Sequence, residues 1–168
     1  HPRTVAQKYV GPSRWPFLAR VKAHVGAFPI LGSGDLFSAF DVLAMLRDTK
    51  VDGVTVARGC IGNPFVFGQV RELLAGRPAL RPTMAMMRAA LRPTAAMQRA
   101  ALQQHWAIAV AYYGDERRAL PHARMHAIKY GQYHRDPVWA RERLVTMRGP
   151  EHWEPLVEEV FADRFDEG

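Results

Sequence analysis

The 168-residue chain carries 23 Lys/Arg against 16 Asp/Glu, a formal net charge of +7, and is 48% hydrophobic, enough for one domain or two small ones around a real core. Its single cysteine excludes an internal disulfide framework and a multi-cysteine zinc site, and fits a reducing compartment. No run approaches the roughly 20 apolar residues of a membrane span, and no signal peptide is visible.

The string His1-Pro2-Arg3-Thr4, followed by Gln7, Tyr9 and Gly11, reads as the turn after a strand. Trp15-Pro16 then opens a helix with Phe17, Leu18, Val21 and Val25 at helical spacing and Gly26 as its stop. Phe28–Leu31 reads as a short buried strand running into the loop Gly32–Phe37. Ser38 and Asp41 have the spacing of a capping box for a helix to about Arg47, with Phe40, Leu43, Ala44 and Leu46 turned to the sheet. Asp52-Gly53 turns the chain into a second strand, Val54–Ala57, and a second glycine-rich loop, Gly59-Cys60-Ile61-Gly62. Asn63 with Pro64 behind it reads as the cap of a helix ending near Gly76. Two strands and three helices in alternation, each strand leading into a glycine-rich turn, resemble the end of a (β/α)8 barrel. In that fold the last two such loops commonly hold a phosphate on backbone N–H groups.

Strand signals stop after Gly76. Arg81–Leu91 and Arg92–Leu102 match at every position except Met84/Ala95 and Met87/Gln98. Eleven residues are close to three helical turns, so this repeat keeps one face inward. Pro93 divides it into a helix over 83–91 and a longer one over 94–113, closed by Gly114. Asp115–Tyr130 is the next helix, bent or restarted at Pro121 and ended by Gly131. Asp136-Pro137 opens another to about Met147, and a last helix holds Leu156, Val157, Val160 and Phe161. The expected fold is therefore α/β followed by all-α. Its parts are the last βα units of a TIM barrel over 1–76, a repeat-containing linker over 77–104 and a helical domain over 105–168. Charge follows this division. Residues 81–150 hold twelve Lys/Arg against four Asp/Glu, and 151–168 hold one against seven. The basic middle suits a polyanion, or else a solvated helical surface.

Three sets of strings carry a family resemblance: H-P-R-T…Q-x-Y-x-G at 1–11, P-I-L-G-S-G-D-L-F-S at 29–38 and D-G-V-T-V-A-R-G-C-I-G-N-P-F-V-F at 52–67. Two more lie farther on: H-W…Y-Y-G-D-E-R at 105–117 and R-M-H-A-I-K-Y at 124–130. With them the chain resembles the tRNA-dihydrouridine synthases, closest to their bacterial branch, through nearly its whole length apart from the repeat and the acidic end. The resemblance implies a flavin-binding barrel and a helical domain that helps hold tRNA. It also implies reduction of the uracil C5=C6 bond by flavin mononucleotide (FMN), with NADPH as reductant and a cysteine as proton donor. The substrate base must leave its stack, which suits looped RNA.

Residue by residue, the resemblance puts Ser33, Gly34 and Asp35 where an Asn-Gly-Asp holds the flavin phosphate and ribityl groups. Ala57 and Arg58, with Gly59, stand where a Gly-Arg pair closes the phosphate site, and His1 stands near the isoalloxazine ring. Arg124, His126 and Lys129 become candidates for tRNA phosphates. Ser33 replaces an Asn, and Ala57 replaces a Gly beside the phosphate. The family's catalytic cysteine belongs to an earlier barrel segment, so no catalytic residue is assigned. The chain, beginning inside a motif at His1, reads as the C-terminal part of a longer protein, inactive by itself. Cys60 reads as a buried small hydrophobe. No metal, membrane or oligomeric partner is implied, and the compartment is cytoplasmic.

Plainer readings stand beside these. Gly32, Gly34 and Gly59 also suit tight turns, Asp35 also suits a turn support, and Arg124 and Lys129 also suit a solvated helix face. Met84, Met86, Met87 and Met97 read as core or gap fillers. Trp106, Tyr112, Tyr113 and Trp139 read as packing aromatics rather than base-stacking platforms. His105, His122, His126 and His134 are too scattered for a metal site. The rival functions are a non-catalytic RNA-binding helical module and another TIM-barrel phosphate- or flavin-binding oxidoreductase.

Overall fold

In the computed structural model, residues 1–8, 10–77 and 90–165 are described. The helix expected over 83–91 lies almost wholly outside them. The chain divides into two compact units, His1–Cys60 with Pro64–Met87, and Ile61–Asn63 with Arg88–Gly168.

The first unit alternates helices α1 (Trp15–Val25), α2 (Ala39–Thr49) and α3 (Val66–Leu74) with strands β1 (Leu31–Gly32) and β2 (Gly53–Val54). The strands pair in parallel with Leu31 opposite Gly53 and Gly32 opposite Val54. Among the described residues these are the only strands, and they form no barrel. Both are shorter than the four residues expected of each, for a chemical reason. Pro29 has no N–H to give a ladder, and the Ile30 N–H is taken by the Asp52 carboxylate at 2.7 Å. Lys22 holds that carboxylate at 2.8 Å. Beyond Gly32 the chain turns away at Gly34, whose φ is +114°.

Caps formed where the residue chemistry asked for them. Gly26, at φ +58°, closes α1. The Ser38 hydroxyl accepts from the Asp41 N–H at 3.2 Å and donates to its carboxylate at 2.9 Å, starting α2. Helix α2 presents Ala39, Val42, Met45 and Thr49 to the core with Leu18, Leu36, Val51 and Val70. The expected stripe of Phe40, Leu43, Ala44 and Leu46 is one step off, because α2 is apolar on both adjoining stripes and the outer one stays half-buried. Helix α3 starts two residues later than expected, with Phe65 at its cap position. Asn63 does not cap it. Its side chain is buried and bonds Tyr133 instead.

The second unit contains α4 (Ala95–Tyr113), α5 (Glu116–Tyr130), α6 (Pro137–Leu144) and α7 (Trp153–Val160). Thr94, Asp115 and Asp136 accept from the N–H groups of Met97, Arg118 and Trp139 at their N-termini, and Gly114 at φ +68° closes α4. Helix α5 runs unbroken through Pro121. The bond that Pro121 forgoes would have gone to the Arg117 carbonyl in the first turn, so one missing bond there leaves the later ladder intact. Helix α6 ends at Leu144, short of Met147. Its core joins Leu102, Ala127, Tyr130, Leu144, Met147, Trp153, Val157 and Phe161. Trp106 stacks on Trp153, with centroids 4.8 Å apart. Trp139 is half-buried beside His134 and Phe165. Both tryptophans pack as expected.

Gln98 is buried, with its amide donating to the Tyr130 carbonyl at 3.4 Å. Met97 differs from the expected core role and is 42% exposed. Tyr112 also breaks expectation, at 81% exposed. Among the described residues no helix is long and apolar enough to cross a membrane. The two faces of α4 give a direct check: Leu102→Ala should cost about 3 kcal/mol in urea unfolding, and Ile108→Ala on the same helix should stay within about 0.5 kcal/mol of wild type.

Candidate functional site

The site of the first unit grows from two adjacent left-handed positions. Gly34 has φ +114° and Asp35 has φ +55°, a conformation that Asp tolerates better than most side chains. The reversal turns the Asp35 carboxylate back onto the first segment of the chain. There Arg3 donates to Oδ1 at 2.8 Å and to Oδ2 at 2.5 Å, and the Ser13 N–H donates to Oδ2 at 2.7 Å. Arg58 reaches Oδ1 from the second loop at 3.4 Å. A carboxylate has about four acceptor positions, and these four donors occupy them. The Arg3 guanidinium, chiefly through its hydrogen bonds, holds Asp35 below its ordinary 3.8, with Ser13 and Arg58 adding to it and burial opposing.

Other bonds fix the same turn. Arg3 also donates to the Gly11 carbonyl at 2.6 Å, Trp15 donates its indole N–H to the Gly34 carbonyl at 2.9 Å, and His1 Nδ1 accepts from the Arg3 N–H at 3.1 Å. A Cβ on Gly34 would strike the Ser13 hydroxyl. Gly59 is constrained differently: a Cβ there would strike the Leu36 carbonyl, so only glycine lets the second loop lie against the first. The Arg58 guanidinium rests 5.3 Å over the Phe37 ring, a cation–π contact.

These loops enclose an open cavity of about 140 Å³, lined by His1, Ser33, Gly34, Asp35, Leu36, Phe37, Thr55, Ala57, Arg58 and Gly59. Every residue assigned to the flavin from sequence lies on it. Gly34 and Gly59 line it with backbone alone. The lining holds one guanidinium, Arg58, and one carboxylate, Asp35, and Arg3 stands on that carboxylate from outside it, so the charge around the cavity is positive by one. The size and sign suit a phosphate group, and Arg58 is its half-exposed cation. The Cys60 thiol donates to the Ala57 carbonyl at 2.9 Å.

Sequence reasoning missed Arg3, Ser13 and Trp15. Arg3 was visible in the first motif, and an acid alone in a glycine-rich loop asks for a cation. Its position 32 residues away in the chain gave no local sign of the pairing.

The helical candidates fall in the second unit and do not form one cluster. Arg124 is half-buried and donates to the Met147 carbonyl at 2.9 Å, tying α5 to the turn after α6. His126 donates through Nδ1 to the His122 carbonyl at 2.8 Å, and Lys129 is exposed. Among the described residues no group of three or more His, Cys, Asp or Glu could hold a metal ion.

The model of the dihydrouridine synthase family matches residues 1–164. The chain belongs to the dihydrouridine synthase family. It is similar to a probable tRNA-dihydrouridine synthase of Mycobacterium tuberculosis (strain H37Rv), 45% identical over 82 residues, which are 49% of this chain and 21% of that protein. To the Mycobacterium leprae protein of the same description it is 36% identical over 117 residues, 70% of this chain and 28% of the relative. To the probable tRNA-dihydrouridine synthase 1 of Synechocystis it is 30% identical over 163 residues, 96% of this chain and 42% of the relative. The chain thus spans between 21% and 42% of the length of these relatives. The family match takes in both the cavity loops and helices α4 to α7.

Asp35 dictates how this loop responds to acid. Its lowered value makes its contribution complete above the ordinary 3.8 and lost as pH falls through the folded-state value. Arg3→Met should therefore cost about 2 kcal/mol at neutral pH, from charge-assisted bonds. In chemical denaturation the gap to wild type should close as pH falls below that range.

Proposed function

We propose that this chain supplies the phosphate-holding end of an FMN site and a tRNA-binding helical part to an enzyme that reduces tRNA uridine to dihydrouridine. One observation carries the reading: residues from three separate segments, 1–13, 33–37 and 55–59, converge on a single small cationic cavity. Family membership supports the reaction class, and the names of the relatives support tRNA as substrate. Because the family match extends over the helical unit, it favours this reading over a stand-alone RNA-binding module or a different phosphate-binding barrel enzyme.

Bound FMN would supply the hydride for the uracil C5=C6 bond, with NADPH as the reductant. This chain's residues would do the holding. Arg58 meets the phosphate charge, and Gly34 and Gly59 line the cavity with backbone alone, as anion-holding loops do. Ser33 offers a hydroxyl that donates or accepts. Ala57 adds a methyl group at the rim, a narrower fit than glycine. His1 stands by the ring end. Asp35, with its acceptors committed to Arg3, Ser13 and Arg58, shapes the loop and holds Arg58 in place. Cys60, hydrogen-bonded to a carbonyl of its own loop, is no proton donor in this reading, and the donor comes from elsewhere in the enzyme. The activity belongs to the cytoplasm, where it needs no metal and no second copy.

Equilibrium dialysis of the intact protein with FMN and with riboflavin tests the cavity. Arg58→Ala should weaken FMN binding about tenfold to a hundredfold, the range of a charged hydrogen bond. Riboflavin, which lacks the phosphate, should bind both proteins alike. Equal losses for the two ligands, or no flavin binding by wild type, would remove the proposal.

A further inference from the structure

The second half of α4 is apolar, yet apart from Trp106, which reaches the core, it lies largely at the surface. After Leu102 none of its residues is buried, and Ile108 is 59% exposed. Its surface is organised by rings. Tyr113 stacks on His122 of α5 at 4.6 Å and 12° from parallel, Tyr112 meets Tyr113 edge-on at 5.0 Å, and His105 lies 4.6 Å from His126. His122 and His126 are one helical turn apart, so the ring pairs follow each other along the α4–α5 seam. Arg118 precedes His122 by one turn, and Lys129 follows His126 by three residues. Both cations are exposed. Helix α4 has no carboxylate, and α5 has only Glu116 against Arg117, Arg118, Arg124 and Lys129.

We infer that this seam is a stacking surface for unpaired RNA bases, with Tyr112 as the outermost ring and Arg118 and Lys129 meeting the backbone phosphates. The inference rests on the tRNA reading above and names where on the helical unit the looped RNA is held. Three features favour RNA as occupant. Tyr112 is 81% exposed, and any base stacks on an open aromatic ring. The flanking charge is mostly positive, with Arg117, Arg118, Arg124 and Lys129 against Asp115 and Glu116 at the start of α5, as suits a polyanion. The core of a protein–protein contact is depleted of charge, whereas this seam is flanked by cations and threaded by imidazoles. Burial, and then the neighbouring His126, hold His105 below its ordinary 6.5, so at neutral pH it presents a flat uncharged ring.

The test uses the intact protein with two probes, a fluorescein-labelled oligouridylate and a fully paired RNA hairpin. Tyr112→Ala should weaken oligouridylate binding about tenfold, with an unchanged thermal transition and an unchanged salt slope. Tyr112→Phe should bind as wild type does. Arg118→Ala should lower the slope of log affinity against log salt by about one. The inference is overturned if Tyr112→Ala binds oligouridylate like wild type, or if hairpin binding falls by the same factor. A drop in the thermal transition of Tyr112→Ala would also overturn it, since protein would then cover the ring. Wild type that binds neither probe would overturn the tRNA reading itself, whereas binding indifferent to Tyr112 removes only the seam.

Discussion

The Asp35 carboxylate is the constraint on which the first unit's site depends. It draws three residues from two other segments onto one acceptor, and each is then fixed for another purpose. Arg3 is anchored for the turn over Gly11, Ser13 for the start of α1, and Arg58 for the rim of the cavity. The order of effect runs from backbone to charge. Two consecutive positive φ values turn the loop, the turn presents the carboxylate, and the carboxylate gathers the cations. Gly59 completes the arrangement by contact rather than by charge, since its missing side chain lets the loops touch. The result is a lining whose polar atoms are held by protein before any ligand arrives, and preorganisation of that kind reduces the ordering cost of binding.

The second unit is built on different terms. Its helices meet over an apolar core anchored by Trp153, and its surface pairs are local reinforcements, such as Arg143 with Glu159 at 2.7 Å. Arg99 reaches the Asp163 carboxylate at 2.8 Å, linking α4 to the turn after α7. Helix α4 joins this core through its first half and Trp106. Its polar residue Gln98 is buried there, while Ile108 and Tyr112 face outward. Core packing does not account for that inversion.

What the sequence disclosed was governed by distance along the chain. Capping is local chemistry, so Ser38, Asp136, Gly26 and Gly114 were legible at once, and the helix starts at Thr94 and Asp115 were placed to within a residue. The alternation of helices and strands was legible for the same reason, whereas the meeting of the two glycine-rich loops was expected from the resemblance to the end of a barrel. Strand length was not, because it turned on a side chain, Asp52, taking a backbone donor 22 residues away. The inward face of α2 was ambiguous, since neighbouring stripes are equally apolar. Asn63 before Pro64 looked like a cap, and burial against Tyr133 overrode that local preference. Tyr112 looked like core because aromatic residues in helices usually are, and only the packing shows it uncovered. The family strings led to the cavity residues, and the plainer reading of Asp35 as a turn support fits its bonds, but its partners Arg3, Ser13 and Arg58 were not announced by its neighbours in sequence.

The carboxylate that gathers the site also sets when the site can form. The Arg3 and Asp35 bond closes 32 residues of chain, with α1 and β1 between them, and the Ser13 bond closes 22. Such contacts are rewarded only after the intervening elements have settled, since loop closure costs entropy before it returns anything. In refolding, α1 and α2 should acquire protection before the cavity does. In native-state hydrogen exchange the loop around Gly34 belongs among the earlier segments to open, because side-chain bonds rather than a helix or sheet ladder hold it.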